Sequence, residues 1–230
     1  MSGLVRYADI QTKLPREFCL LQGTGCTWAR CTFCDYHTDC SADPFATNAE
    51  VLAQVTGVHG VLDIINSGSC TELDALTIAR IAAVVREKGI HTLWFEAHYM
   101  HRAVLPAFAA QFPGVRVRFR TGIETFDGAQ RVAWRKGIPA TVTAEEVREH
   151  FEGVCLLIAV AGQTRAAISN DIQTALALFD YMSVNAFVEN STAERRDESL
   201  IKWFEAEWLP VLRDNPKVEI LLHNTDLGVG

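Results

Sequence analysis

Three cysteines near the start of the chain have types and spacing that suit a metal centre. Cys26, Cys31 and Cys34 fall within one short segment, residues 23–37. Three thiolates on one loop can bind three irons of a [4Fe–4S] cluster. The fourth iron then stays open to a ligand from outside the protein, whereas four cysteines complete the coordination in an electron-transfer ferredoxin. Chemistry on such an external ligand is therefore the first hypothesis.

The same cysteines also allow a structural zinc site. Zinc takes four ligands, so His37 or Cys40 would have to complete the set. Structural zinc motifs are usually paired knuckles in small modules, whereas these cysteines directly follow a predicted strand at residues 17–22. Gly23 and Gly25 would let the backbone turn tightly and pass close to a cluster. The cluster is favoured, and a non-catalytic zinc-bearing binding protein is the alternative.

The composition limits the partners of the chain. Its net charge is −7, so it lacks the excess of cations that proteins use to bind nucleic acid, and we expect a small-molecule substrate instead. No apolar signal-peptide core opens the sequence and no apolar run is long enough to span a membrane. We therefore expect a cytoplasmic protein with no membrane partner. The seven cysteines are an odd number, which argues against a disulfide scaffold.

The elements that must position the cysteines alternate between strands and helices. The predicted strands cover residues 17–22, 60–66, 91–97, 115–121, 153–161, 181–188 and 217–223. The predicted helices cover residues 47–56, 71–89, 101–111, 127–136, 165–180 and 197–212. This alternation favours a parallel sheet with helical crossovers, in a single domain over residues 1–230. We predict an α/β fold, a partial (β/α)6 open barrel with one extra C-terminal strand, and a doubly wound open sheet is the alternative. In both, the functional side chains follow the C-terminal ends of the strands.

The cysteine segment resembles the cluster motif of the radical S-adenosylmethionine superfamily. Gly23 and Gly25 precede Cys26, and Phe33 lies between the second and third cysteines. The first gap, of four residues, is one longer than the commonest spacing in the superfamily, as in its elongator-like subgroup. The run Gly122-Ile123-Glu124 also resembles a segment of that subgroup. The resemblance implies the superfamily's partial barrel, with a [4Fe–4S] cluster on the three cysteines and S-adenosylmethionine as the second cofactor.

Further segments lie where the superfamily places its cofactor contacts. The resemblance implies that the turn after the second strand, with Ser67, Gly68 and Ser69, receives the methionine amino group. It implies cofactor contacts for Glu96 and Glu124, after the third and fourth strands. The residues around Ser69 are also compatible with an ordinary strand-to-helix turn, with Ser69 itself as N-cap. Both interpretations can hold together.

The resemblance implies a reaction and a substrate class. Reduction of the cluster by an external donor of the flavodoxin or ferredoxin type would cleave S-adenosylmethionine, and the resulting 5′-deoxyadenosyl radical would take a hydrogen atom from the substrate. The short chain and the run Cys34–Asp39 resemble the queuosine-salvage lyases, which release queuine. The implied function is a lyase acting on a small modified nucleoside or nucleotide, such as queuosine 5′-phosphate. A radical enzyme that modifies tRNA is the alternative.

Several polar residues are candidates for the reaction itself. Asp35 and His37, beside the cluster, and His98, after the third strand, are the catalytic candidates. The candidates for substrate binding are Tyr36, Arg118, Arg120, Asn185, Glu189 and Asn190. Arg118 and Arg120 alternate with Arg116 and share one strand face, which would bind phosphate if it points inward. We expect two of these three arginines to be solvated. Trp203 and Trp208 are predicted to pack in the core or in a homodimer contact.

Overall fold

The computed structural model describes residues 4–230, and over this range eight strands form one sheet in the order in which they follow along the chain. The strands are β1 (Tyr7–Ile10), β2 (Arg16–Leu21), β3 (Val61–Asn66), β4 (Thr92–Glu96), β5 (Arg116–Glu124), β6 (Gly153–Ile158), β7 (Tyr181–Ala186) and β8 (Val218–Leu221). β1 is antiparallel to β2, whereas β2 pairs in parallel with β3, β3 with β4, β5 with β6, β6 with β7, and β7 with β8.

Helices follow most of the strands. The α-helices are α1 (Phe45–Leu52), α2 (Ala75–Lys88), α3 (Leu105–Ala109), α4 (Gly128–Ala133), α5 (Ala144–Arg148), α6 (Arg165–Leu178), α7 (Glu198–Glu207) and α8 (Leu209–Leu212). Short 3₁₀ helices cover Tyr36–Thr38, Cys70–Glu72 and Tyr99–Val104. All seven predicted strands are present. Within residues 4–230 no helix is both long enough and apolar enough to cross a membrane.

The chain divides into two compact units. The first contains the residues up to Thr27, Tyr36–Phe119 and Leu227–Gly230, and the second contains Trp28–Asp35 and Arg120–Asp226. The prediction of one domain over residues 1–230 stays a prediction, and each unit is described by itself.

In the first unit, α2 buries one apolar face and packs against α1. Asp74 caps its N-terminus by accepting the Thr77 backbone N–H at 2.9 Å. Gly89 ends it in the left-handed conformation, with φ of 66°. Ile81 and Val84 are fully buried on the face between these ends. The strong helical periodicity of residues 71–89 therefore predicts this element well, although its first turn is a separate 3₁₀ helix.

Strand β1 is absent from the sequence prediction. This strand has only four residues, too few and too polar to show the alternation of a strand in the sequence. Partners that are distant in sequence hold it: the Tyr7 hydroxyl donates to Glu17 Oε1 at 2.7 Å, and the Leu20 N–H donates to the Arg6 carbonyl at 2.9 Å. Glu17 is buried and also accepts two backbone N–H groups of the loop after α1, at 2.6 and 2.7 Å. Tertiary contacts, and not a local sequence pattern, therefore determine that this segment forms a strand.

In the second unit, β6 is buried along its whole length and α6 covers it. Thr164 caps α6 by accepting the Ala167 N–H at 3.1 Å. Helix α5 was not predicted, although Thr143 and Glu146 have the spacing of a capping box and form one. The helix predicted over residues 197–212 is divided into α7 and α8, because Pro210 lies in the first turn of α8 and cannot donate a backbone hydrogen bond.

Candidate active site

The loop between β2 and α1 carries the three cysteines, and the two segments of the loop that hold them belong to different units. We call residues 23–27 the N-terminal arm. It carries Cys26 and belongs to the first unit. We call residues 28–35 the C-terminal arm. It carries Cys31 and Cys34 and belongs to the second unit. All three thiols are partly exposed.

Hydrogen bonds to Glu72 hold the N-terminal arm. Thr24 donates both its backbone N–H and its hydroxyl to the Glu72 carbonyl, each at 3.1 Å. Thr27 donates its backbone N–H to Glu72 Oε1 at 2.6 Å. Cys26 lies between these two threonines, so the chain on both sides of this cysteine is fixed by one residue.

The turn after β3 carries three predicted cofactor contacts, Ser67, Gly68 and Ser69. Ser69 donates its backbone N–H to Glu72 Oε2 at 2.6 Å. A Cβ on Gly68 would overlap the same carboxylate oxygen and would lie 3.2 Å from the Gly25 carbonyl oxygen. Only glycine at position 68 therefore allows this turn and the N-terminal arm to come so close.

The Asp39 carboxylate holds the Ser67 side chain by a hydrogen bond. Its carboxylate accepts the Ser67 hydroxyl at 3.2 Å, the Gln22 amide at 2.9 Å and two Arg6 N–H groups at 2.6 and 3.0 Å. Burial opposes ionisation of this carboxyl, but the hydrogen bonds and the charge of Arg6 outweigh it and hold the pKa of Asp39 below its usual value. An ionised Asp39 thus positions the hydroxyl of a predicted cofactor contact.

In the first unit, Glu96 ends β4 and two histidines, His98 and His101, follow it. The His98 backbone N–H donates to the Ser69 hydroxyl at 3.0 Å, and His98 Nδ1 accepts a backbone N–H at 3.1 Å. Because Nδ1 accepts, the neutral ring carries its proton on Nε2. His101 Nε2 is buried, lies 3.8 Å from Glu72 Oε1 and has no hydrogen-bond partner among the described residues.

An apolar cluster of the second unit packs against the C-terminal arm. Its buried members are Phe33, Trp134, Leu157, Val160 and Phe187. Cys31 and Cys34 both pack against it. The Phe33 ring meets the Trp134 ring edge-on, with centroids 5.5 Å apart. This surface excludes water from one side of the two thiols.

Trp28 anchors the start of the C-terminal arm to residues 135–137. Its indole N–H donates to the Arg135 carbonyl at 2.7 Å, and the Arg30 guanidinium lies 5.3 Å from the centre of its ring. Gly137 has a φ of 76°, and a Cβ there would overlap the Trp28 ring. A glycine at position 137 is therefore required both by its backbone conformation and by the aromatic ring above it.

The segment after β7 holds the end of the C-terminal arm. The Asn190 side-chain amide donates to the Phe33 carbonyl at 2.8 Å. Ser191 donates its backbone N–H and its hydroxyl to Asp35 Oδ2, at 2.9 and 2.8 Å. Asp35 and Asn190 therefore position this arm. The catalytic role of Asp35 and the substrate contact of Asn190 stay predictions.

Glu124 forms a buried ion pair at the end of β5. Its Oε1 lies 2.7 Å from Lys136 Nζ, and both side chains are about nine-tenths buried. Glu124 has a φ of 66°, in a register irregularity of β5 that begins at Gly122. A Cβ on Gly122 would lie 2.5 Å from Glu124 Oε1. Glycine 122 and the bulge thus turn this carboxylate toward Lys136.

The three arginines of β5 lie in the first part of the strand, far in sequence from Glu124. Arg116 is exposed, Arg118 is partly exposed and Arg120 is buried, so the expectation that two of them are solvated is not contradicted. Within the first unit, the Arg118 guanidinium lies 4.3 Å from the centre of the Trp94 ring. Within the second, Arg120 is buried 5.6 Å from the Tyr181 ring. The substrate contacts of Arg118 and Arg120 stay predictions.

The remaining candidates differ in their surroundings. Asn185, in β7, has a buried Oδ1 with no hydrogen-bond partner among residues 4–230. Glu189 accepts the Arg196 backbone N–H at 3.3 Å. Tyr36 is exposed and His37 partly exposed, in the 3₁₀ helix of the first unit. Their substrate and catalytic roles stay predictions.

The residues present fit an iron–sulfur cluster. The three loop thiols are accessible and an apolar surface lies against two of them, whereas Cys19 and Cys70 are buried and burial raises the pKa of each thiol, so both remain protonated. No three His, Cys, Asp or Glu side chains in residues 4–230 gather closely enough to bind a single metal ion.

Three buried or partly buried residues were missed by the sequence reasoning: Glu72, Asp39 and Lys136. Glu72 had a visible signal, the capping-box spacing Ser69-x-x-Glu72. Asp39 and Lys136 had none, because their partners Arg6 and Glu124 lie 33 and 12 residues away in the sequence.

The comparisons with known proteins place these features in context. No protein-family model matches the chain, and neither does any curated protein. Among solved structures, the chain is similar to a queuine lyase from Clostridium spiroforme bound to S-adenosylmethionine and queuine, with 40% identity and a TM-score of 0.94. The match covers 99% of this chain and 100% of that one. Methylornithine synthase shares the fold, with a TM-score of 0.55 and 15% identity over 92% of this chain and 74% of that one. The predicted partial α/β barrel is thereby confirmed.

Proposed function

From the premise that this chain belongs to the radical S-adenosylmethionine superfamily, in the family of the queuine lyase from Clostridium spiroforme, we propose that it releases queuine from queuosine or queuosine 5′-phosphate. One observation carries the proposal: the identity of 40% extends over essentially the full length of both chains. A match that left out part of either chain would allow a different substrate region, and this match leaves out none.

We propose that Cys26, Cys31 and Cys34 hold the cluster and that Ser67, Gly68, Ser69, Glu96 and Glu124 contact S-adenosylmethionine. When bound, the cluster and this cofactor supply a 5′-deoxyadenosyl radical, with the electron coming from an external donor of the flavodoxin or ferredoxin type. Removal of a hydrogen atom from the ribose weakens the bond to the base. The protein's part is to bind, to orient and to exclude water.

Different side chains of the described residues suit the exclusion of water, the orientation of the cofactor contacts and the binding of the substrate. The apolar cluster beneath Cys31 and Cys34 keeps water from that side of the site. The Lys136 ammonium fixes the Glu124 carboxylate in one position. Asn185 Oδ1 offers a buried acceptor without a protein donor, and we propose that it accepts an N–H of the base. This assignment is specific, because a hydrogen-bonding site rejects a base that lacks the matching donor.

The direct test is a turnover experiment without oxygen. The reconstituted and reduced protein is incubated with S-adenosylmethionine and, in separate reactions, with queuosine, with queuosine 5′-phosphate, with guanosine 5′-phosphate as the matched control, and with tRNA that contains queuosine. We expect queuine and 5′-deoxyadenosine in equal amounts from queuosine or its phosphate alone. Release of queuine only from tRNA would favour the tRNA-directed alternative, and its absence in every reaction would refute the proposal.

A second experiment tests the substrate contact. Asn185→Leu removes the buried acceptor and leaves the donor of the base unpaired. We expect kcat/KM to fall by about 10- to 100-fold, the cost of one unpaired buried polar group, with the affinity for S-adenosylmethionine unchanged. An unchanged kcat/KM would remove Asn185 from the substrate site.

A further inference from the structure

We infer that Glu72 is a positioning residue that couples the N-terminal arm to the turn at residues 67–69. The inference rests on the proposed function, which makes the arm the cluster side and the turn the cofactor side of one site. Glu72 has no assigned role in that proposal. It is nine-tenths buried, which is unusual for a glutamate unless strong partners hold its charge.

The carboxylate of Glu72 is shared between the two segments. Oε1 accepts the Thr27 N–H and Oε2 accepts the Ser69 N–H, both at 2.6 Å. These are short hydrogen bonds to a charged acceptor and belong to the strong class. One rigid carboxylate therefore sets the distance between the residue after Cys26 and the centre of the turn.

The backbone at Glu72 adds to the same coupling. Its carbonyl accepts two hydrogen bonds from Thr24, and its own N–H donates to the Ser69 carbonyl at 2.8 Å. Gly68 contributes by its lack of a side chain, since a Cβ would overlap Glu72 Oε2. Glu72 thus contacts both sides of Cys26 and the turn at the same time.

A capping box explains only part of this arrangement. In a capping box the glutamate accepts the N–H of the N-cap residue, which here is the bond from Ser69. The bond from Thr27 is additional. The chain offers a matched control: Glu146 accepts the Thr143 N–H at 2.8 Å in the capping box of α5, and no N–H from the cysteine loop. Loss of the Glu146 carboxylate removes a cap alone.

The test compares Glu72→Gln and Glu72→Ala with Glu146→Ala. Each protein is reconstituted with iron and sulfide. Four quantities are measured: amide hydrogen exchange at Thr27 and Ser69 in the protein before loading, bound iron, the dissociation constant for S-adenosylmethionine, and the change in the electron paramagnetic resonance spectrum of the reduced cluster when that cofactor is added.

We expect Glu72→Ala to speed exchange at both amides by about tenfold or more, the effect of losing a hydrogen bond to a charged group, and to weaken cofactor binding by a similar factor. Glu72→Gln keeps one acceptor oxygen, so we expect fast exchange at one of the two amides and a smaller loss of affinity. The spectral response to the cofactor is expected to shrink in both variants. Glu146→Ala is expected to change none of these quantities.

Two outcomes overturn the inference. One is exchange at Thr27 and Ser69 that stays as slow in Glu72→Ala as in the unaltered protein. The other is faster exchange with an unchanged dissociation constant and spectrum, which would leave Glu72 a purely structural cap. If the unaltered protein itself binds neither iron nor S-adenosylmethionine, the proposed function fails instead, and the exchange data still decide whether Glu72 ties the two segments together.

Discussion

The N-terminal arm and the C-terminal arm carry cysteines with the same predicted role but differ in the contacts that hold them. Around Cys26, the contacts are hydrogen bonds to Glu72, and an ionised Asp39 supports the turn nearby. Around Cys31 and Cys34, the contacts are an apolar cluster and an aromatic ring that covers a glycine. The contacts of the N-terminal arm are thus polar, whereas the C-terminal arm adds apolar burial to the hydrogen bonds from Asn190 and Ser191.

This difference predicts which change of conditions or of sequence should disturb each arm. The pKa of Asp39 is lowered, so the support that this carboxylate gives to the turn beside the N-terminal arm should be lost in acid. Apolar packing responds to changes in shape and volume instead. The following predictions test this contrast, beginning with the largest effect.

Changing any one loop cysteine to alanine should abolish cluster assembly, because each of the three is predicted to bind a separate iron. Bound iron and acid-labile sulfide, measured after reconstitution of Cys26→Ala, Cys31→Ala and Cys34→Ala, should fall to background. Cys155→Ala is the control, since that thiol lies buried in β6. An iron content that drops in Cys155→Ala but persists in Cys31→Ala would break the assignment of ligands to both arms.

Among the substitutions that leave the loop cysteines in place, Lys136→Met should lower the free energy of unfolding the most. It leaves the Glu124 carboxylate buried without its cation, which typically costs about 3–5 kcal/mol. The free energy of unfolding in urea measures the effect. The double variant Lys136→Met with Glu124→Gln should recover most of the loss, because it removes the stranded charge. A single variant as stable as the parent would show that the pair is not buried in solution.

Two aspartates should give opposite pH responses in the two units. Asp171, in the second unit, accepts the Phe126 N–H at 2.7 Å, and burial raises its pKa to about 6. Its stabilising contribution is complete below the ordinary carboxyl pKa and is lost as the pH rises through 6, by up to about 3 kcal/mol. Asp39, in the first unit, has a lowered pKa, so its contribution is complete above the ordinary pKa and is lost as the pH falls below it.

The measurement for both aspartates is the free energy of unfolding of Asp171→Asn and Asp39→Asn between pH 3 and pH 8. Asp171→Asn should be more stable than the parent at pH 8 and equal to it near pH 4. Asp39→Asn should be less stable at pH 8, with the gap closing at the acid end. Two variants that change in the same direction would contradict the opposite pH responses expected of the two carboxyl groups.

Trp28→Phe should have the smallest effect. It keeps a ring over Gly137 but loses the hydrogen bond to the Arg135 carbonyl, a loss of about 1 kcal/mol. Thermal unfolding detects a change of this size. Trp203→Phe is the control, because the Trp203 indole N–H donates to no residue in the described range, and it should unfold closer to the parent. A larger loss in Trp203→Phe would show that ring size, not the hydrogen bond, matters.

Much of the architecture follows from local pattern. Buried strands such as β6 and the amphipathic α2 have long, regular apolar periods, and the sequence predicts both. The extent of α5 and the break at Pro210 depend on single capping and proline positions, which a pattern over many residues does not resolve. Strand β1 has too few residues to show a period, so only its pairing with β2 defines it.

For the site, the sequence alone determined the chemistry and the tertiary structure decided the geometry. Cys26, Cys31 and Cys34 are close in sequence, so spacing and residue type were enough to predict their ligand set. Glu72, Asp39 and Lys136 act through partners on other elements, and no local pattern records which distant group a buried charge will meet. The fold decided those pairings, because a buried charge is stable only where the chain brings its partner within hydrogen-bond distance.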